Sequence, residues 1–169
     1  MIIMTNITLI TNVGNIDISL NKQKAPVTVR NFIQYCRDGF YNDTIFHRVI
    51  NEFMIQGGGH TEDLLEKPTR DPIVNEANRG LKNTIGTIAM ARTDAPHSAT
   101  AQFFINLSDN DCLDYTATTN SGWGYTVFGD VTAGMDIVTH IAQVKTATIQ
   151  GHEDVPCEAI VINQVIINE

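Results

Sequence analysis

The chain holds 169 residues, 43% of them hydrophobic, with 11 basic against 19 acidic side chains and a net charge of -8. At roughly 150 residues per domain this is one domain with enough apolar content for a core of its own, so disorder is excluded. So acidic a chain has no general positive field for phosphates, which excludes a nucleic-acid-coating or anionic-membrane protein.

The elements follow in chain order. Residues 7–11 and 16–20 flank Asn12-Val13-Gly14, and Ile16, Ile18 and Leu20 alternate with Asp17 and Ser19, predicting a hairpin. Pro26 suits a first helical position, and Val29, Phe32, Ile33, Cys36 and Phe40 then recur at helical spacing, with Gly39 placed to close the last turn. Candidate strands cover residues 45–50, 53–56, 85–91, 101–107, 125–129 and 159–167. A second helix is predicted after Thr132 as N-cap, with Met135, Val138, Ile141 and Ala142 on one side. Ile, Val and Thr make up 52 of the 169 residues, and such β-branched side chains favour strands. Many short strands with two helices predict a closed or nearly closed barrel, capped at its ends and filled by its own bulky side chains. The loop-like stretches 60–82 and 108–124 are candidate carriers of function.

Cys36, Cys112 and Cys157 form no CxxC pair, and His47, His60, His97, His140 and His152 are scattered. Reduced thiols are therefore expected, with no metal site built by local spacing. The opening MIIMTNITLI lacks both the basic region and the unbroken apolar run of a secretory signal, and no stretch approaches the roughly 18 apolar residues of a membrane span. Cytoplasmic residence is the expectation.

No GxSxG elbow, no P-loop, no helix-opening GxGxxG and no HExxH is present; Gly57-Gly58-Gly59 lacks the Lys and Ser/Thr of a phosphate loop. Cys36, on the buried helix face, reads as a small core hydrophobe. The unusual stretch is Phe46-His47-Arg48-Val49-Ile50, running on to Phe53-Met54-Ile55-Gln56. Alternation puts Phe46, Arg48 and Ile50 on one face and His47 and Val49 on the other, so a cation shares a face with apolar neighbours. Taken alone, such an arginine is as well explained by an edge residue whose stem lies along apolar surface, and the aromatics by the core.

Two further segments, Gly86-Thr87-Ile88-Ala89-Met90-Ala91-Arg92 and Ala99-Thr100-Ala101-Gln102-Phe103-Phe104-Ile105-Asn106, follow in order. With them, and with Ala25-Pro26-Val27-Thr28 upstream and Val127-Phe128-Gly129 downstream, the chain resembles the cyclophilin family of peptidyl-prolyl cis-trans isomerases over nearly its whole length. Gly122-Trp123-Gly124-Tyr125 and the length look like the bacterial cytoplasmic branch. The resemblance implies one domain, 1–169, folded mostly as β: an eight-stranded closed antiparallel barrel capped by two α-helices, with a peptide groove on its surface. It implies that Arg48 is catalytic, that Phe53, Met54, Phe104 and Leu113 seat a proline ring, and that Gln56 holds the arginine. It further implies that Ala91, Arg92 and Gln102 contact the peptide and that Tyr125 stands where the family has a groove-lining histidine.

The implied activity is rotation about Xaa-Pro bonds in unfolded or flexible chains, assisting folding; the alternative is a proline-binding module or chaperone with little turnover. Twisting an amide makes no bond to another atom, so the resemblance implies no nucleophile, metal or cofactor. The expected partners are proline-containing peptides and unfolded chains, with no nucleic acid and no membrane, and a monomer is expected. Where many cyclophilins carry a tryptophan this chain has Cys112, so weak binding of the family's macrocyclic inhibitor cyclosporin is expected.

Overall fold

The structure, a computed structural model, describes residues 4–168. Strands β1 (Thr5–Thr11) and β2 (Gly14–Leu20) form the predicted hairpin, in register from Thr5↔Leu20 to Thr11↔Gly14. Their alternate residues Ile7, Leu9, Ile16, Ile18 and Leu20 are fully buried. Helix α1 (Pro26–Arg37) buries Val29, Phe32, Ile33 and Cys36 against the sheet. Its N-cap, Ala25, offers no side-chain oxygen. The buried Glu76 does so from a distant loop: its carboxylate accepts from Thr28 N and Thr28 Oγ1, both at 2.7 Å, and from Val27 N at 3.3 Å. A carboxylate there satisfies orphan amides and meets the positive end of the helix dipole.

The stretch expected as one strand, 45–50, is two: β3 (Thr44–Ile45) and β4 (Arg48–Ile50). The break corrects the simple alternation, because Phe46 turns into the core at 0% exposure, on the side of Val49 and away from Arg48. The remaining elements are β5 (Met54–Gly57), β6 (Thr87–Met90), β7 (Phe103–Asn106), β8 (Val127–Ala133), α2 (Met135–Ala142), β9 (Thr146–Ile149), β10 (His152–Pro156) and β11 (Val161–Asn168). One antiparallel sheet orders nine strands as β3-β11-β1-β2-β8-β6-β7-β5-β4, one more than expected because of the break at Phe46-His47. The hairpin of β9 and β10, a separate two-stranded sheet, was not legible from the sequence, since its strands are short and mostly exposed or half-exposed.

The sheet's two end strands, β3 and β4, are consecutive in the chain, and the segment around β3 bonds to both margins of the sheet. On one side Asp43 N and Phe46 N donate to Ile162 O and Ile160 O; on the other Ile45 N donates to His60 O and Ile45 O accepts from Gly58 N. The glycine triplet serves this seam and not a phosphate: a Cβ at Gly57 would lie 2.6 Å from Ile45 O, and one at Gly58, where φ is 88°, 2.6 Å from the Phe103 ring. Inside, Phe32 packs within 5.1 to 5.7 Å, centroid to centroid, of Tyr41, Phe103 and Phe128. Helix α2 starts later than expected, with Gly134 (φ 93°) as N-cap in place of Thr132. Thr132 is still strand there, because β8 runs on to pair Ala133 with Asp17.

Candidate active site

Strand register brings the predicted residues together. Arg48 lies opposite Gln56 across β4 and β5, Gln56 opposite Phe104 across β5 and β7, and Phe104 opposite Ala89 across β7 and β6. Partners directly opposite share a face, so this row, with Ile50 and Met54 one step along, forms the outer face of the barrel wall. A satellite apolar cluster of Met54, Ala89, Phe104 and Val127, with Phe53, Leu113 and Tyr125 packed on it, builds up from that face.

Arg48, Phe53, Met54, Gln56, Ala91, Arg92, Phe104, Leu113 and Tyr125 all line one open pocket of about 140 Å³. Gln102 stands behind the lining: Gln56 Nε2 donates to its Oε1 at 3.1 Å, while Gln56 Oε1 accepts from Arg48 Nη1 at 3.5 Å. Arg48 is exposed, and this is the one hydrogen bond of its side chain among the described residues. A guanidinium has five N–H donors in a plane, so most of its donor capacity faces the pocket and solvent.

Arg92 is differently disposed. Its Nε donates to Gly124 O at 2.9 Å, its Nη1 to Thr93 O at 2.8 Å and its Nη2 to Asn120 O at 3.4 Å, and its guanidinium lies 4.5 Å over the Tyr125 ring. The side chain is a brace for the far wall. Tyr125 meets Phe104 edge to face at 5.7 Å, which fixes its ring at the pocket. Cys112 is exposed and lies outside this lining, in an adjoining recess of about 370 Å³ that shares Arg92, Leu113 and Tyr125.

Behind the arginine strand the fold gathers three of the histidines that look scattered in sequence. The His47 and His60 rings stack at 4.1 Å and His152 meets His60 at 5.5 Å. Both Nδ1 atoms of the stacked pair are buried without a hydrogen-bond partner. Burial above all, then the neighbouring His60, His152 and Arg48, lowers the His47 pKa to about 3; burial also lowers that of His60, against the pull of Glu66. The His47 imidazole is therefore neutral at ordinary pH, and burial pushes His60 in the same direction. Among the described residues no group of three or more His, Cys, Asp or Glu is arranged to hold a metal ion. Cys36 is inert as expected, its thiol pushed up to about 12 by burial.

Sequence reading missed a buried layer of asparagines, Asn83, Asn106 and Asn110, beneath the pocket. The four-residue spacing of Asn106 and Asn110 next to an apolar strand was the only signal.

A curled antiparallel β-sheet with two helices, carrying an arginine beside an open pocket on its outer face, defines the class of architecture. The model of the cyclophilin-type peptidyl-prolyl cis-trans isomerases matches residues 6–167, and the chain belongs to that family. It is 57% identical over 163 residues to peptidyl-prolyl cis-trans isomerase B of Escherichia coli (strain K12), covering 96% of this chain and 99% of the relative. It is 54% identical to a peptidyl-prolyl cis-trans isomerase of Streptomyces antibioticus, covering 97% and 99%. A crystal structure of a Cryptosporidium parvum cyclophilin-type isomerase superposes with a TM-score of 0.79 at 25% identity, covering 99% of both chains. The same parasite protein in the presence of the dipeptide Ala-Pro gives a TM-score of 0.77 at 25% identity, covering 97% of this chain and 99% of that one.

Proposed function

We propose that this peptidyl-prolyl cis-trans isomerase turns Xaa-Pro bonds at the pocket between Arg48 and Phe104, with Arg48 as its catalytic residue. The observation that carries the reading is a guanidinium on the rim of an apolar pocket, steadied at one end by Gln56 and otherwise uncommitted. Rotation about Xaa-Pro loses amide resonance against roughly 18–20 kcal/mol. In the twisted state the prolyl nitrogen regains its lone pair, and a fixed donor aimed at it stabilises that state above the planar one. Phe53, Met54, Phe104 and Leu113 hold the proline ring while the preceding carbonyl swings. Tyr125 closes the outer wall, the Ala91 main chain offers a polar contact for the peptide backbone, and Gln102 acts from behind the lining by accepting from Gln56. The Ala-Pro dipeptide of the parasite relative supports proline-containing peptides and unfolded chains as substrates.

One nine-stranded sheet and one main core running from Ile7 to Val165 support a single domain. Three free thiols, two of them exposed, support a reducing compartment such as the cytoplasm. No helix among the described residues is long and apolar enough to cross a membrane. Exchange NMR on a short Ala-Pro peptide tests the reading. Wild type accelerates cis-trans exchange, whereas Arg48→Ala still shifts the peptide resonances on titration but loses most of the acceleration. Shifts without acceleration in wild type would identify a binding module.

A further inference from the structure

Nine of the ten expected site residues touch the pocket directly, but what holds its outer half in place does not. Phe53, Leu113 and Tyr125 come from three segments distant in sequence, two of them in irregular loops. Aromatic and leucyl side chains cannot anchor one another with directional bonds, so the main chain must fix them; Tyr125 N donates to Leu113 O and Leu107 N to Phe53 O, both at 2.9 Å, but among the described residues no main-chain bond ties the Phe53 segment to the other two.

The geometry points to a buried amide relay, Asn83–Asn106–Asn110, as the positioning device for that half of the proline seat. Asn106 is the centre, fully buried on β7 opposite Met54. Its Nδ2 donates to Asn83 Oδ1 at 3.0 Å and to Thr87 Oγ1 at 2.9 Å, and its Oδ1 accepts from Asn110 Nδ2 at 2.8 Å. Each flanking amide then reaches pocket backbone. Asn110 Nδ2 donates to Phe53 O at 2.9 Å. Asn83 Nδ2 is shared among Leu113 O at 3.1 Å, Asp114 Oδ1 at 3.2 Å and Tyr125 O at 3.3 Å. The main chain closes the loop, with Asn110 N donating to Asn83 O at 2.8 Å.

Three carbonyls on three pocket segments thus accept from one connected set of primary amides, Phe53 O and Leu113 O sharing that role with the main-chain donors Leu107 N and Tyr125 N. An amide suits the task because it donates twice and accepts at once, so a chain of them can be satisfied without any charge in the interior. None of the three side chains lines the pocket itself, so they act through Phe53, Leu113 and Tyr125 and not on the substrate. Arg48 hangs on the other wall, through Gln56 and Gln102, and shares no hydrogen bond with the relay. The two halves separate by role: the relay sets how well proline is held, in ground and transition states alike, and Arg48 sets how fast the bound bond turns.

This inference rests on the pocket being the proline seat, and one experiment tests both. An Ala-Pro peptide is titrated by NMR into wild type, Asn106→Ala and Asn110→Ala at a temperature where each is folded, and the dissociation constant and bound-state exchange rate are read together. Loss of one relay bond is expected to weaken binding roughly three- to tenfold and to leave the bound-state rate within about twofold of wild type, the signature of lost uniform binding. The Phe53 ring resonances are expected to shift in Asn110→Ala. A folded Asn106→Ala with unchanged peptide affinity would show the relay to be structural only and overturn the inference, as would a fall in bound-state rate at unchanged affinity. Should Asn106→Ala not fold, Asn110→Ala decides, since it keeps the Asn83–Asn106 bond. Wild type that neither binds nor exchanges the peptide would overturn the reading of the pocket itself.

Discussion

Acid should open the barrel at its seam before it touches the catalytic chemistry. His47 lies in the break between β3 and β4, next to Arg48, stacked on His60 from the segment that hydrogen-bonds Ile45. The groups facing it are His60, His152 and Arg48, with Glu66 acting on His60. Its pKa falls from 6.5 to about 3 on folding, with burial as the main cause. Between those values the unfolded chain binds one more proton than the folded one. The contribution of a neutral His47 is therefore complete above pH 6.5 and is lost as pH falls toward 3. At pH 4.5, two units below the unfolded value, the loss is about 2–3 kcal/mol, at 1.36 kcal/mol per unit. His47→Phe keeps a stacked ring that cannot be protonated. Urea titrations at pH 7 and pH 4.5 should show the variant losing about 2 kcal/mol less than wild type between the two conditions. Equal losses in the two proteins would refute the reasoning.

Turnover itself should be nearly flat between pH 6 and 9, because arginine stays protonated throughout and the adjacent His47, held at about 3 by burial, is already neutral; a bell-shaped kcat/KM profile would assign proton transfer to a histidine instead. Glu76→Ala strips the carboxylate from the first turn of α1 and leaves the buried Thr28 amide and hydroxyl and the half-buried Val27 amide without their acceptor. A cost of about 3 kcal/mol is expected, seen in calorimetry as a Tm lower by roughly 6–12 °C, and a shift under 2 °C would remove Glu76 as the helix cap. Cys112→Trp should raise cyclosporin affinity by roughly tenfold, the effect of one aromatic anchor at an interface, while catalysis stays largely as in wild type. Tight binding by the unmodified chain in a calorimetric titration would contradict the assignment of weak binding to Cys112.

The parts of this molecule that the sequence disclosed are those written locally. The first hairpin follows from alternation around Gly14, and α1 from the spacing of Val29, Phe32, Ile33 and Cys36. Periodicity alone left Phe53 and Phe104 undecided between core and site, and only the ordered family motifs placed them. What failed had its cause elsewhere in the chain. Alternation put Phe46 beside Arg48, but closing the barrel at Ile45 inserts a break that turns Phe46 inward. His47, His60 and His152 look scattered because contact between them depends on the seam and on the β9–β10 hairpin together. The Glu76 cap spans 48 residues to Thr28, and the relay joins Asn83 to Asn106 across 23; no window of a few residues encodes either.

Adjacent residues of β7 show how tightly site and fold are bound together. Phe103 points into the barrel against Phe32 and Tyr41, whereas Phe104 points outward to face Tyr125 and the pocket. The same pleat sends Ile55 inward at 0% exposure and Gln56 out toward Arg48. A slip of one residue in β5 or β7 would exchange every such pair, burying the glutamine and exposing the core ring. The packed aromatics therefore do more than stabilise the barrel, because their insistence on the interior is what fixes the register that places Gln56 opposite Arg48. On the proposed reading, a reaction that forms no bond needs only an apolar seat and one steadied donor, and that register is what sets the two side by side.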